Sequence, residues 1–187
     1  MSKNGLILLT PTSIAYTGTS ATIGANGSVT FTSCSSLSLN GVFSADYDNY
    51  MVVIRNTGGA EGWQQLCRLR SGGVDENSAS NYYTWQRLFA RSTTVSADRQ
   101  STNSWERFGI GGSHTGFIAY FYGPFLAQPT AARTVTHENT SGYVAPGIAD
   151  AANTHSLSNS YDGFTWSQAN SGAGSPSGRV AVYGMRK

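Results

Sequence analysis

Apolar and polar side chains alternate along much of this chain, in runs that are two-fold in period and too short for helices. The clearest run is Asn49–Arg55. Extended, it puts Tyr50, Val52 and Ile54 on one face and Met51 and Val53 on the other, which predicts a strand in a sheet interior. Gln64–Ser71 predicts a second strand, with Cys67 and Leu69 pointing one way and Arg68 and Arg70 forming a solvated face. The turns Asn56-Thr57-Gly58-Gly59 and Ser71-Gly72-Gly73 end these two runs. Further strands are predicted at Asn81–Arg91, Thr115–Phe125, Arg133–Glu138, His155–Ser158, Gly163–Ser167 and Gly178–Met185, separated by loops of Gly, Ser, Asn and Pro. Phe117–Phe125 is aromatic enough to be buried on both faces, and Arg179–Gly184 reads as a closing strand. Apolar residues nowhere recur at three-and-four spacing over several turns, so long helices are not expected. A repeat of fixed length is also missing, which argues against a propeller, a β-helix or a leucine-rich array.

The pattern is weaker at the start. Met1–Leu39 is rich in Ser, Thr and Gly, with brief strand-like pieces at Leu6–Leu9, Ser13–Thr17 and Ser28–Thr32. A segment with so few large apolar groups cannot build its own core and needs another surface to become ordered. The expectation is therefore an extended N-terminal arm over 1–41 ahead of a β domain over 42–187, a total of 187 residues that suits one domain with a short appendage.

Composition sharpens this. Charged residues make up only 12% of the chain, against about 25% in average soluble domains, so surface polarity must come from Ser, Thr, Asn and Gly. The 22 Gly and 10 Tyr suit tight turns and pleated faces. A net charge of +2 is too mild to imply nucleic acid, which calls for Lys and Arg clustered on one face. Gly5-Leu6-Ile7-Leu8-Leu9 is too short for a secretory apolar core and runs into Pro11, and no stretch is long enough to span a membrane, so synthesis in a cytoplasm is expected. Cys34 and Cys67 sit in different local contexts, with buried free thiols the default and a pairing left open.

Candidate chemistry is sparse. His114, His137 and His155 lie on separate segments, without the short spacings that bind metal economically. Ser113-His114 falls in a Gly-rich turn with no Gly-x-Ser-x-Gly elbow, and reads as a loop. Asp46-Tyr47-Asp48-Asn49 offers oxygen ligands for calcium, but a turn closed by its own side chains is the simpler reading. Asp75-Glu76 and Glu106 could supply paired carboxylates of the kind that hydrolyse sugars, but with only 10 acidic residues in the chain chance placement explains them. Gly58-Gly59, Gly72-Gly73 and Gly111-Gly112 lack the lysine of a phosphate loop. Asn26-Gly27-Ser28 and Asn139-Thr140-Ser141 match the glycosylation pattern, which arises readily in such a composition and matters only after secretion. Trp63, Tyr82, Tyr83, Trp85, Trp105, Tyr143, Tyr161 and Trp166 lie near loops or strand ends, where they either fill the core or supply rings for a sugar or a neighbouring subunit. The residues point to no catalytic, cofactor-binding or metal-binding set, and no cofactor is expected.

Two stretches resemble a known family. Phe43-Ser44-Ala45-Asp46-Tyr47-Asp48-Asn49-Tyr50-Met51-Val52-Val53-Ile54 and Ser177-Gly178-Arg179-Val180-Ala181-Val182-Tyr183-Gly184-Met185 look like the first and last core strands of small β-jelly-roll virion proteins of tailed bacteriophages, and the strand at Tyr82-Tyr83 fits the same pattern. The resemblance runs from about Val42 to Lys187 and leaves Met1–Leu39 unmatched. It implies an antiparallel jelly-roll sandwich that is not an enzyme, assembled as a homotrimer in the virion. The implied role is a head decoration or cement protein, anchored to the major capsid protein or another virion protein partly by its N-terminal arm. Low charge would make such attachment insensitive to salt. The alternative is a tail-fibre or receptor-binding module that holds host-surface glycans. An enzyme on a β scaffold and a cellular lectin are further classes, the first disfavoured by the missing acid, base and metal constellation and the second by the missing secretion signal.

Overall fold

The architecture comes from a computed structural model, which describes residues 5–59, 63–77, 82–91, 94–111, 115–138, 147–169 and 175–187. The elements are β1 (Leu6–Leu9), β2 (Ser13–Ile23), β3 (Val29–Asn40), β4 (Asn49–Gly58), β5 (Trp63–Ser71), β6 (Val74–Asp75), β7 (Tyr83–Arg91), β8 (Thr94–Thr102), β9 (Trp105–Gly111), β10 (Gly116–Tyr122), β11 (Thr130–Glu138), β12 (Gly147–His155), β13 (Gly163–Gln168) and β14 (Ser177–Met185). Among the described residues there is no helix. All the strands belong to one antiparallel sheet, ordered β6-β5-β13-β3-β14-β4-β10-β11-β12-β7-β8, with β1 added to β14, β2 to β3 and β9 to β5. The sheet curls on itself: β9, hydrogen-bonded to β5 at one end, packs across the inner faces of β10, β11, β12 and β7 near the other. The result is the all-β antiparallel sandwich that the sequence predicts.

β3 makes the corner. Its first residues pair with β14, Val29 opposite Val180 and Phe31 opposite Gly178, while Ser36–Leu39 pair with β13. Between them the strand bulges at Ser33, whose φ of 46° is positive, and Cys34 N–H donates to the Pro176 carbonyl at 2.9 Å. β2 follows the same bend and shifts register at Gly18, where a Cβ would lie 2.2 Å from the Ser33 carbonyl oxygen; only glycine allows that approach.

The segment read as an arm thus finds its ordering surface in the chain itself. Val29, Phe31, Cys34, Leu37 and Leu39 are at most 1% exposed and belong to the main core, so the core does not begin at residue 42. The bulge explains why alternation hides this: the inward set steps from 31 to 34 to 37, breaking the two-residue period.

The core is aromatic at its centre. Phe121 of β10 lies 5.3 Å from Phe43, 5.6 Å from Phe108 of β9 and 5.6 Å from Phe164 of β13, joining both layers. β10 is buried on one face only, however. Phe117, Ala119 and Phe121 point inward, whereas Ile118 and Tyr122 are 37% and 43% exposed, because among the described residues no second layer covers the outer face. Besides the two-residue β6, three strands escape the periodicity. β8 is a polar edge, β9 follows it closely, and β12 turns Gly147, Ala149, Ala151, Asn153 and His155 inward, small residues that leave room for β9 to cross. Of this β12 run the sequence predicts only a short strand starting at His155.

Candidate functional site

A groove of about 440 Å³ lies on the outer face of β14 and β4, lined by Thr30, Val53, Arg55, Thr57, Gly178, Arg179, Ala181 and Tyr183. Alternation puts these side chains outward, since Ile54, Val180 and Val182 between them fill the core. The groove opens where β14 changes neighbours: β3 pairs with its Gly178–Val180, and β1 with its Val182–Met185.

Arg179 and Arg55 stand directly opposite each other on these adjacent strands, and both are exposed. Like charges in that position destabilise a sheet by about 0.2–1 kcal/mol. Among the described residues neither arginine forms an ion pair, and the groove lining holds no acidic residue. Arg179 is oriented by its Nε–H, which donates to Ser28 Oγ at 2.8 Å; Ser28 Oγ–H in turn donates to Asn26 Oδ1 at 2.8 Å. Asn26-Gly27-Ser28, set aside above as a chance glycosylation pattern, is thus the turn that positions an arginine. The groove can present two guanidinium forks, threonine hydroxyls and the Tyr183 ring to a ligand. Sequence reading noted Arg179 and Tyr183 only as parts of a closing strand and gave Arg55 no role, because their opposition is a matter of register.

The residues singled out for chemistry take other places. Arg70 does not face solvent. It is 8% exposed and is bound to Asp75 and the Gly73 carbonyl, to Ser38 Oγ and Asn40 Oδ1 at 3.0 Å each, and to Thr165 Oγ1 at 2.7 Å, under the β5–β6 turn. Asp75, which also accepts from Thr165 Oγ1, is therefore held in a structural pair. It lines a second hollow of about 370 Å³ with Glu76, Asn159, Ser160 and Tyr161, while Glu106 is half-buried on β9. Asp46 closes a turn with Ser44, and Asp48 pairs with Lys187 Nζ at 3.0 Å, so this loop behaves as the turn expected.

His137 is exposed on β11 and His155 is fully buried on β12. No group of three metal-ligating side chains occurs among the described residues. His155 sits in an aromatic box, its ring 4.3 Å from Tyr83 and its Nδ1 3.3 Å from the Tyr161 hydroxyl. Burial there lowers the histidine's affinity for a proton, pushes Tyr161 up to about 12 and raises Tyr83 further. Cys34 and Cys67 are free, buried thiols, and burial raises both, so neither is an activated nucleophile.

Of the aromatic residues near loops, Tyr83, Trp85, Trp105, Tyr161 and Trp166 are all at most 3% exposed and fill the interior, and Tyr82 is half-buried. The Trp63 side chain, Tyr143, Ser113-His114 and Asn139-Thr140-Ser141 lie outside the described residues. Exposed apolar groups include Leu88, Val95, Ile118, Val135 and Ile148, on the outer faces of β7, β8, β10, β11 and β12, a strip that no predicted strand face anticipated.

No protein-family model matches the chain, and no curated protein does. Among solved structures it is similar to the CBM2 module of the evolved Dit of Lactobacillus casei BL23 phage J-1, at 14% identity and a TM-score of 0.32 over 95% of this chain and 92% of that one.

Proposed function

We propose that this chain is a non-catalytic binding module of a tailed-phage particle, and that the Arg55–Arg179 groove holds glycans of the host surface. The observation that carries the reading is the groove itself: a recess in a rigid sheet, furnished with convergent donors and an aromatic ring, while the buried histidine, tyrosines and thiols elsewhere are tuned away from reactivity. The phage assignment rests on the two resembling stretches. They fold into β4 with its leading turn and β14, paired at the centre of the sheet from Met185↔Asn49 onward. Titration of the purified chain against host cells and their extracted polysaccharide tests it. Saturable binding that Tyr183→Ala and Arg55→Thr weaken is expected; binding of neither cells nor polysaccharide refutes it.

A second reading, the head decoration or cement protein, draws on the apolar strip of Leu88, Val95, Ile118, Val135 and Ile148. Exposed apolar area of this kind suits a flat contact with capsid protein or with other copies in a trimer. Immunogold labelling separates the two: gold over the head favours decoration, and gold confined to the tail favours glycan binding. Anchoring by the N-terminus would fall to the segment before β3, since β3 is core, and its largely exposed strand is β2; substitutions on the exposed face of β2, such as Tyr16→Ala, test it.

A further inference from the structure

Resting on the glycan reading above, we infer that the groove's ligand is an anionic glycan, whose phosphate, carboxylate or sulfate groups sit between Arg55 and Arg179. The argument is one of matching donors to acceptors. A neutral sugar presents hydroxyls that both donate and accept, and sites that hold one supply acceptors as well as donors. This groove has no carboxylate and no amide in its lining; Thr30, Thr57 and Tyr183 bring hydroxyls that donate or accept, but its strongest polar groups are two guanidiniums, which only donate. A ligand group that only accepts fits that set, and an anion is such a group.

The placement of the two arginines agrees. Residues directly opposite on antiparallel strands have Cβ atoms about 4.5–5.5 Å apart, so both guanidiniums can close on one oxyanion. Without a ligand the pair is repulsive, and no carboxylate among the described residues relieves it. An anion turns that repulsion into two charge-assisted contacts. Arg179 is already ordered through Ser28, which leaves its terminal nitrogens to the ligand and lowers the entropy lost on binding.

Beyond Arg55 the sheet offers a path for a chain. Gly116 of β10 lies next to Arg55 and bears no side chain, and His137 of β11 lies next to Gly116. In the other direction Thr30 of β3 flanks Arg179. A charged polysaccharide running across the strands would thus meet Thr30, Arg179, Arg55, a bare glycine and His137 in order.

The test uses the full chain, with dextran as neutral probe and poly(glycerol phosphate), polygalacturonate and dextran sulfate as phosphate, carboxylate and sulfate probes. A single-stranded DNA oligonucleotide and host polysaccharide, before and after its charged groups are stripped, complete the set. Variants are Arg55→Thr, Arg179→Thr and, as a control for net charge, Arg99→Thr on exposed β8. Expected is binding of at least one charged glycan and of native host polysaccharide. Each groove variant should weaken it about tenfold or more, the loss of one charge-assisted contact, and Arg99→Thr should leave it unchanged. Rising salt should weaken the wild type. Host polysaccharide bound equally well after stripping, or equal losses for Arg99→Thr and Arg55→Thr, overturns the inference but leaves glycan binding standing. Preference for the oligonucleotide assigns the groove to nucleic acid and overturns it too. Retention of no glycan at all, host polysaccharide included, removes the glycan reading itself.

Discussion

Truncation of one ring tests how the two layers of this sandwich meet. Phe121 is 0% exposed, and its ring lies 5.3–5.9 Å from those of Phe43, Phe108, Phe164 and Trp105, which come from the loop before β4, from β13 and from the crossing strand β9. Phe121→Ala removes the transfer free energy of a buried ring and leaves a cavity whose walls belong to several elements. They cannot all collapse at once. Large-to-small changes of this kind cost about 3–5 kcal/mol, and the four ring contacts, about 0.5–1.5 kcal/mol each, place this one at the upper end, about 4–5 kcal/mol. For a chain of this size about 2–4 °C of Tm is lost per kcal/mol, so a fall of roughly 8–20 °C is expected. Ile118→Ala, three residues earlier and 37% exposed on the outer face, should cost less than about 1 kcal/mol. Urea unfolding followed by the fluorescence of buried Trp105 and Trp166 measures both. Equal costs for the two variants, or less than about 1.5 kcal/mol for Phe121→Ala, would show that β10 does not face inward through Phe121 and would refute this account of the core.

Three further outcomes follow from the same geometry. Arg55→Thr relieves the repulsion with Arg179 and should stabilise the free protein by about 0.2–1 kcal/mol in urea unfolding, even as it weakens groove binding; a loss of stability would mean that Arg55 supports the fold. His155 is neutral in the fold because burial lowers its pKa, whereas the unfolded chain takes up a proton near 6.5. Stability is therefore full well above that pH and should fall as pH drops through 6.5, with a slope of at most about 1.4 kcal/mol per unit that should flatten in His155→Asn. Asp75→Ala removes the carboxylate that neutralises the Arg70 guanidinium, 8% exposed, and should cost about 2–3 kcal/mol, with Arg70→Met in the same background recovering part of it by thermal unfolding.

The sequence carried most of the strand pattern, and the misses have physical causes. β4 and most of β5 and β14 are legible because apolar and polar residues alternate along them, and turn glycines follow β4 and β5. β12 is not, since Ala and Asn are poor markers of a strand; they sit there because β9 crosses over them, a fact of packing that propensity does not encode. Arg70 reads as solvated because its alternation is outward, and only the β5–β6 turn, folding Asp75 over it, buries it.

The sequence by itself determined the fold class, the inward faces of the central strands and the thinness of its ionisable chemistry, because side-chain period and composition are local properties. Tertiary structure alone decided that β3 joins the core, that β9 closes the sandwich and that Arg55 meets Arg179. These depend on register between strands distant along the chain, which is fixed by the sum of long-range pairings and by bulges such as that at Ser33. A two-residue period says which way a side chain points; only the pairing of strands says what stands beside it.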